Sequence, residues 1–256
     1  MKSMTVTGTD WFRSWFDTSF YHQLYSGRDI KEAREFVNEL LAELKPAPKS
    51  CMLDLGCGKG RHSKRLAEAG HDVTGIDLAA SSIMQAKKWE SPNLKFLRHD
   101  MRMPFGNNRF DFVFNLFTSF GYFNSMNEHL SVIRNITASL KQGGILVLDY
   151  INAPYAEREL IPAETKEIDG IIYNIKRWTD ENHFYKSISI ENAQLPGPCE
   201  FTEQVAKFTL DDFESMFTEN SLYLEQVYGN YKLEEYDPLD TPRLILIARK
   251  LQPKKR

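Results

Sequence analysis

Cysteine is scarce in this chain of 256 residues: only Cys51, Cys57 and Cys199 occur. So odd and sparse a set fits free thiols in a reducing compartment better than a disulfide framework. No close cysteine pair is followed by another and no HExxH pattern occurs, so no metal site is expected. An excess of basic charge is missing as well. Thirty-two Lys and Arg stand against 35 Asp and Glu, a net charge of −3, which leaves no electrostatic footprint for nucleic acid. The basic end at 254–256 reads as a solvated tail. Long apolar runs are absent too: the start, "MKSMTVTGTDW", has no core of signal-peptide length, and no run spans a bilayer. A cytoplasmic protein without nucleic-acid or membrane partners is the expectation.

Hydrophobic residues at 42% and charged residues at 26% exclude disorder over most of the length. The length suits one domain with an insertion or two modest domains. Residues 10–25 are crowded with aromatics at spacings compatible with short helices, including Trp11, Trp15, Phe20, Tyr21 and Tyr25. "DIKEAREFVNELLAEL" then places Ala33, Phe36, Val37, Leu40, Leu41 and Leu44 on one stripe, and "KPAPK" ends that helix. From there, short apolar runs at Met52–Gly56, Val73–Asp77, Leu94–Leu97, Phe110–Leu116 and Ile145–Tyr150 alternate with helical patterns at about Arg61–Ala69, Ala79–Trp89 and Asn127–Leu140. This alternation predicts a mostly parallel sheet covered on both faces. Two later strands, Leu222–Tyr228 and Arg243–Ala248, follow a helix at Leu210–Glu219; no helix separates them, so the last strand returns antiparallel. Residues 156–208 differ in character: alternating segments broken by Asp169–Gly170, by "TDEN" at 179–182 and by "LPGP" at 195–198 predict an inserted antiparallel sheet. The expected organisation is an N-terminal helical cap over 1–50, an α/β core over 51–155 and 209–252, and an inserted β lid over 156–208.

The stretch "DLGCGKGRHS" places Gly56, Gly58 and Gly60 at alternate positions where the first strand hands over to a helix. Glycine inside regular structure costs stability, so the cluster marks a tight bend or a backbone that a ligand approaches. A strand, a glycine bend and a helix start together make an anion-friendly corner. The spacing does not match a Walker loop. Nor does it match the dinucleotide fingerprint, whose third glycine would fall on Arg61. Asp77 ends the second strand 21 residues beyond Gly56, the spacing at which a carboxylate reaches ribose hydroxyls, so the ligand carries a ribose.

Four stretches in order, "LDLGCGKGRHSKRLAEAGHDVTGIDLAASSI", "LKFLRHDMRMPF", "RFDFVFNLFTSFGYF" and "LKQGGILVLDYIN", together resemble class I S-adenosylmethionine-dependent methyltransferases over roughly residues 50–152. The resemblance implies a Rossmann-like, doubly wound, mostly parallel seven-stranded sheet with an antiparallel last strand. It also implies S-adenosylmethionine as cofactor and site roles for particular residues. Asp54 and the backbone from Gly56 through Cys57 and Gly58 to Gly60 would hold the amino-acid end of the cofactor, and Asp77 its ribose. Leu78 would pack on adenine, Asp100 would accept from the adenine amino group, and Met101 would cover the ring. Asn115 would offer its backbone carbonyl to the cofactor's ammonium, and Tyr21 or Tyr25 would close over the site. Ala79 departs from the serine that many relatives carry there, which removes a helix cap worth about 1 kcal/mol.

Plainer accounts stand beside several of these roles. Asp77 and Asp100, taken singly, are strand-end caps; their ordered company with the glycines favours ligand contact. Cys57 reads as a small residue at a crowded bend, His62 as a surface residue, and Arg61 equally as a carboxylate contact or a soluble first-turn residue. Phe117, Phe120 and Tyr122 follow the fourth strand, at the sheet edge where open α/β proteins keep ligands, and with Tyr25, Tyr150 and Trp178 they are the candidates for the acceptor site. Trp178 has a competing account as a face-packing residue. A proton acceptor, where the chemistry needs one, comes from His22, His99, His129, Tyr122 or Tyr150. The fourth strand lacks the Asn/Asp-Pro-Pro-aromatic run of amino-methylating DNA enzymes, and Pro198–Cys199 lies in the insertion, so a small-molecule acceptor is expected. Two rival functions are a methyltransferase-like module that binds without catalysis and a nicotinamide oxidoreductase.

Overall fold

The computed structural model describes residues 4–6, 10–27, 30–192 and 199–251. The predicted turn at 195–198 and the basic tail at 254–256 lie outside these residues. After a three-residue strand, β1 (Met4–Val6), come α1 (Trp11–Trp15), α2 (Ser19–Leu24) and α3 (Ile30–Leu44). Then β2 (Cys51–Leu55), α4 (Arg61–Glu68), β3 (Asp72–Asp77), α5 (Ala80–Ala86), β4 (Leu94–Arg98), β5 (Phe110–Asn115), α6 (Met126–Ser139) and β6 (Leu140–Ile151) alternate as the periodicity predicts. The chain continues through α7 (Ala153–Arg158), β7 (Ala163–Ile168), β8 (Ile171–Thr179), β9 (His183–Glu191) and β10 (Cys199–Ala206). It closes with α8 (Leu210–Glu219), β11 (Leu222–Tyr228) and β12 (Arg243–Lys250).

Seven strands form one sheet in the order β11-β12-β6-β5-β2-β3-β4. Pairs from β6 to β4 are parallel, and β12 runs antiparallel to both β6 and β11. Successive side chains point to opposite faces, and both faces are apolar. Leu53, Val113, Leu146 and Leu246 pack with Val132 and Ile136 of α6 and Phe213 of α8. Met52, Phe114, Val147 and Ile247 pack with Phe36 and Leu40 of α3, Leu66 of α4 and Ile83 of α5. This is the doubly wound architecture, with its loops after β2, β3, β4 and β5 gathered at one edge.

The second sheet has the order β1-β10-β9-β8-β7. Asp169 and Gly170, at φ 51° and 74°, make the two-residue hairpin between β7 and β8, where two left-handed residues match strand twist. Two features depart from the sequence reading. Residues 153–158 form α7 before the strands begin, with Pro154 in its first turn. The sheet also gains a fifth strand from the N-terminal region, β1 pairing parallel to β10 through Thr5 and Glu200. Three residues are too few to show a period, so β1 left no pattern to read. None of the helices among the described residues is long and apolar enough to cross a membrane.

Candidate active site

The three alternate glycines all take positive φ, 78° at Gly56, 54° at Gly58 and 81° at Gly60, but for different reasons. A Cβ on Gly56 would stand 2.6 Å from Cβ of Ser119, and one on Gly60 would stand 2.5 Å from the Phe96 ring. A Cβ on Gly58 would meet nothing within 4 Å. Two glycines therefore permit close packing, and the middle one presents bare backbone to a cavity. Gly56 and Cys57 donate to the Ile76 carbonyl at 2.8 and 3.0 Å, which ties the corner to the end of β3.

That cavity has a volume of about 610 Å³ and opens along the loop edge of the seven-stranded sheet, within the range of small-molecule sites. Its floor holds Gly56, Cys57, Gly58 and Arg61; one end holds Asp77, Leu78, Asp100 and Met101. The roof comes from the N-terminal helices, with Phe12, Phe16, Tyr21 and Tyr25, and the far wall from Phe117, Ser119, Tyr122 and Phe123. Cys57 is a buried thiol facing the Gly58 carbonyl, and burial pushes its pKa up, which keeps it protonated.

The two strand-end carboxylates are held differently. Asp77 accepts from the Gly58 N–H through Oδ2 and from the Ala79 N–H through Oδ1, both at 2.8 Å. Burial raises its pKa against the pull of these backbone donors. Asp100 accepts from Arg13 at 2.7 Å and from the backbone and guanidinium of Arg102 at 2.8–3.1 Å. Its pKa lies below the usual range: these hydrogen bonds and charges, led by Arg102, outweigh the burial that opposes them. Arg102 also reaches Glu128 at 2.7 Å and Asp10 at 3.5 Å, so one guanidinium bridges α1, the loop after β4 and α6.

Three residues given cofactor roles by the resemblance do not line the cavity. Asp54 is buried beneath the corner and accepts from the Ser63 hydroxyl; burial, with the nearby Asp77 charge, raises its pKa to about 6. Gly60 is covered by Phe96. Asn115 is buried behind the wall, its side-chain amide donating to the Leu55 carbonyl at 2.9 Å.

Several acceptor-site expectations are corrected. Phe120 is fully buried among His129, Tyr150, Phe208 and Phe213, so it belongs to the core under α8. Tyr150 is equally buried and donates to the Ala206 carbonyl at 2.6 Å, which spends its hydroxyl away from the cavity. Trp178 stacks on Tyr185, its cross-strand neighbour, at 5.2 Å and 10°, on the face of the second sheet. His129 lies in the aromatic core with its pKa pushed down to about 4 by burial. His62, read as a surface residue, is buried at the cavity wall and pushed down to about 3, hence neutral. Its position at the second residue of α4 turns it under the glycine corner. Tyr25, Phe117, Tyr122, His22 and His99 do stand on the wall.

Sequence reasoning missed Phe12 and Phe16 as roof residues, although both sit in the aromatic cluster it had noted. It also missed how α5 compensates for Ala79. The Ser81 N–H donates to Asp17 Oδ1 at 2.7 Å, so the linker between α1 and α2 supplies the cap from 64 residues away. The roof is fastened to the second sheet in the same manner. Trp15 and Tyr25 both donate to Glu203, at 2.6 and 2.9 Å.

A family model described as a methyltransferase domain matches residues 52–144. The chain is 28% identical over 222 residues to YqeM of Bacillus subtilis, itself named as a candidate methyltransferase, with 83% of this chain and 87% of that one covered. In structure it resembles an S-adenosylmethionine-dependent methyltransferase from Clostridium acetobutylicum, with a TM-score of 0.76 at 17% identity over 91% and 96% of the two chains. It also resembles S-adenosylmethionine-bound CalS10, an amino pentose methyltransferase from Micromonospora echinaspora, with a TM-score of 0.66 at 22% identity over 91% and 97%. The matched segment begins in β2 and takes in the glycine corner, Asp77 and Asp100; over these residues the chain matches the methyltransferase-domain family, and its fold is that of the S-adenosylmethionine-dependent methyltransferases it resembles.

Proposed function

We propose that this methyltransferase acts on a small-molecule acceptor enclosed between the glycine corner and the aromatic roof. The observation that carries this reading is the single cavity that joins Gly58, Asp77 and Asp100 to Tyr25, Phe117 and Tyr122 under a roof of N-terminal helices. An enclosed space suits a small acceptor better than a polymer, and the amino pentose acted on by CalS10 is a precedent of that class.

When bound, S-adenosylmethionine would supply an activated methyl group, which the acceptor would take in line as the carbon–sulfur bond breaks and the neutral thioether leaves. The chain's own residues bind, orient and exclude water. Bare backbone at Gly58 and the start of α4 receive the amino-acid end, with Arg61 as partner for its carboxylate. Asp77 takes the ribose hydroxyls with lone pairs left by its two backbone donors. Leu78 and Met101 sandwich the adenine. Asp100, already holding four donors, meets the adenine amino group only as Arg13 yields a place. Asp54 acts from beneath the corner by fixing Ser63, not by touching the cofactor. A proton released by an ammonium or hydroxyl acceptor passes to His22 or His99; the Tyr122 hydroxyl, like that of Tyr150, is spent on a backbone carbonyl. Burial and Lys59 lower the pKa of His22, so its ring is neutral and able to accept near pH 7. Three cysteines without a disulfide suit a cytoplasmic setting.

Incubation with methyl-labelled S-adenosylmethionine and a small-molecule extract, resolved by chromatography, tests the proposal. Label in a low-mass product supports it. Label only in macromolecules, or binding of cofactor without transfer into any fraction, rejects it.

A further inference from the structure

The turn that leaves β5 is left-handed without a glycine. Phe117 and Thr118 have φ of 60° and 55°, a conformation that disfavours any side chain and β-branched threonine most of all. Such backbone persists only where its surroundings over-determine it. Here the surroundings are Asp149 at the end of β6 and Arg243 at the start of β12. Asp149, fully buried, accepts from the Phe117 N–H at 2.7 Å through Oδ2, and its carbonyl accepts from the Thr118 N–H at 3.0 Å. Arg243 donates from Nε to Asp149 Oδ1 at 2.7 Å and from Nη2 to the Thr118 hydroxyl at 2.9 Å. The Tyr122 hydroxyl donates to the Thr118 carbonyl. Every polar group of Thr118 is engaged.

The other side of this turn is the cavity wall. Phe117 lies between the Arg61 guanidinium, 4.6 Å above its ring, and Tyr231, 6.3 Å away and nearly parallel. Ser119, held to the Leu116 carbonyl at 2.9 Å, fills the space where a Gly56 side chain would be. The turn and the first glycine of the corner are therefore one packed unit, and relaxation of either displaces the other.

We propose that Asp149 and Arg243 are positioning residues for methyl transfer: together they hold the Phe117–Thr118 turn in its left-handed form against the glycine corner, and thereby set cofactor affinity. This rests on the placement of the cofactor at that corner. The two residues touch neither cofactor nor acceptor and act through Phe117 and Ser119.

The double variant Asp149→Asn, Arg243→Met removes both charges together, so no unpaired ion is left buried and the fold survives; circular dichroism and thermal unfolding establish that. Calorimetric titration with S-adenosylmethionine, well below each unfolding midpoint, then gives an affinity weakened roughly tenfold or more. Adding Thr118→Gly to the double variant removes the conformational penalty and recovers at least about threefold of the loss. A purely structural ion pair would not produce that recovery. Should the double variant fail to fold, Arg243→Lys keeps the charge but lacks the fork that reaches Asp149 and Thr118 together, and the same loss and glycine recovery are expected. A folded variant with wild-type affinity overturns the proposal, as does a loss that Thr118→Gly leaves untouched. Failure of the wild-type protein to bind S-adenosylmethionine would instead reject the cofactor placement itself.

Discussion

Replacing Asp54 by Asn tests the account of the corner through pH. The carboxylate is 1% exposed and accepts from the Ser63 hydroxyl and from the Ser63 backbone. Burial, the largest influence, raises its pKa from 3.8 to about 6, with the Asp77 charge adding to the rise and Ser63 opposing it. A raised folded-state value means that the contribution to stability is fully present below the unfolded value and is lost as pH rises through the folded one. At about 1.4 kcal/mol per unit, the loss is about 3 kcal/mol, most of it developing between about pH 4 and pH 6. Asn keeps an oxygen for Ser63 but brings a buried NH₂ group, a pH-independent cost of about 1–3 kcal/mol. The diagnostic is thus how the stability difference between the two proteins changes with pH. Urea unfolding without cofactor, followed from acid to neutral pH, should show Asp54→Asn gaining about 2–3 kcal/mol relative to wild type as pH rises. A pH-independent difference, or a gain by wild type, would refute the claim that Asp54 is ionised at a desolvation cost.

Gly56→Ala combines a left-handed penalty of about 1–2 kcal/mol with a collision against Ser119, so it should lower the unfolding midpoint as well as cofactor affinity. Gly58→Ala carries only the first cost, about 1–2 kcal/mol. Its methyl group enters the cavity, so calorimetry should show a folded protein with cofactor affinity largely lost. Asp77→Ala removes hydrogen bonds to the ribose, and cofactor binding should weaken by about 1.5–3 kcal/mol. Arg13→Ala should alter stability in denaturant by no more than about 1 kcal/mol, because Arg13 is 44% exposed and Arg102 still neutralises Asp100. Arg102→Ala, which breaks links to Asp10, Asp100 and Glu128, should cost more.

The seven-stranded sheet was legible because its strands are buried on both faces and are punctuated by helices of clear period. Asp77 was legible as a residue of the cavity because strand end and glycine spacing are both local. The contacts that distinguish wall from core were not. Phe117 and Phe120 are three residues apart in one aromatic run, yet a left-handed turn sends the first to the cavity and the second into the core. No residue type in "FTSFGYF" announces that turn before Gly121. The partners that enforce it, Asp149 and Arg243, lie 32 and 94 residues further along, each counted from the preceding partner. His62 was misread because polarity suggested surface, whereas its place on the first turn of α4 buries it.

The second sheet draws four strands from one stretch of chain and its edge strand β1 from another that precedes the α/β core. Trp15 and Tyr25 meet Glu203 across the same seam. Transplanting the segment 163–206 alone from a relative, in order to import its acceptor preference, would strand both the parallel ladder at Thr5 and the indole at Trp15. A working chimera has to carry the two remote stretches together, whereas the cofactor half can be left as it stands.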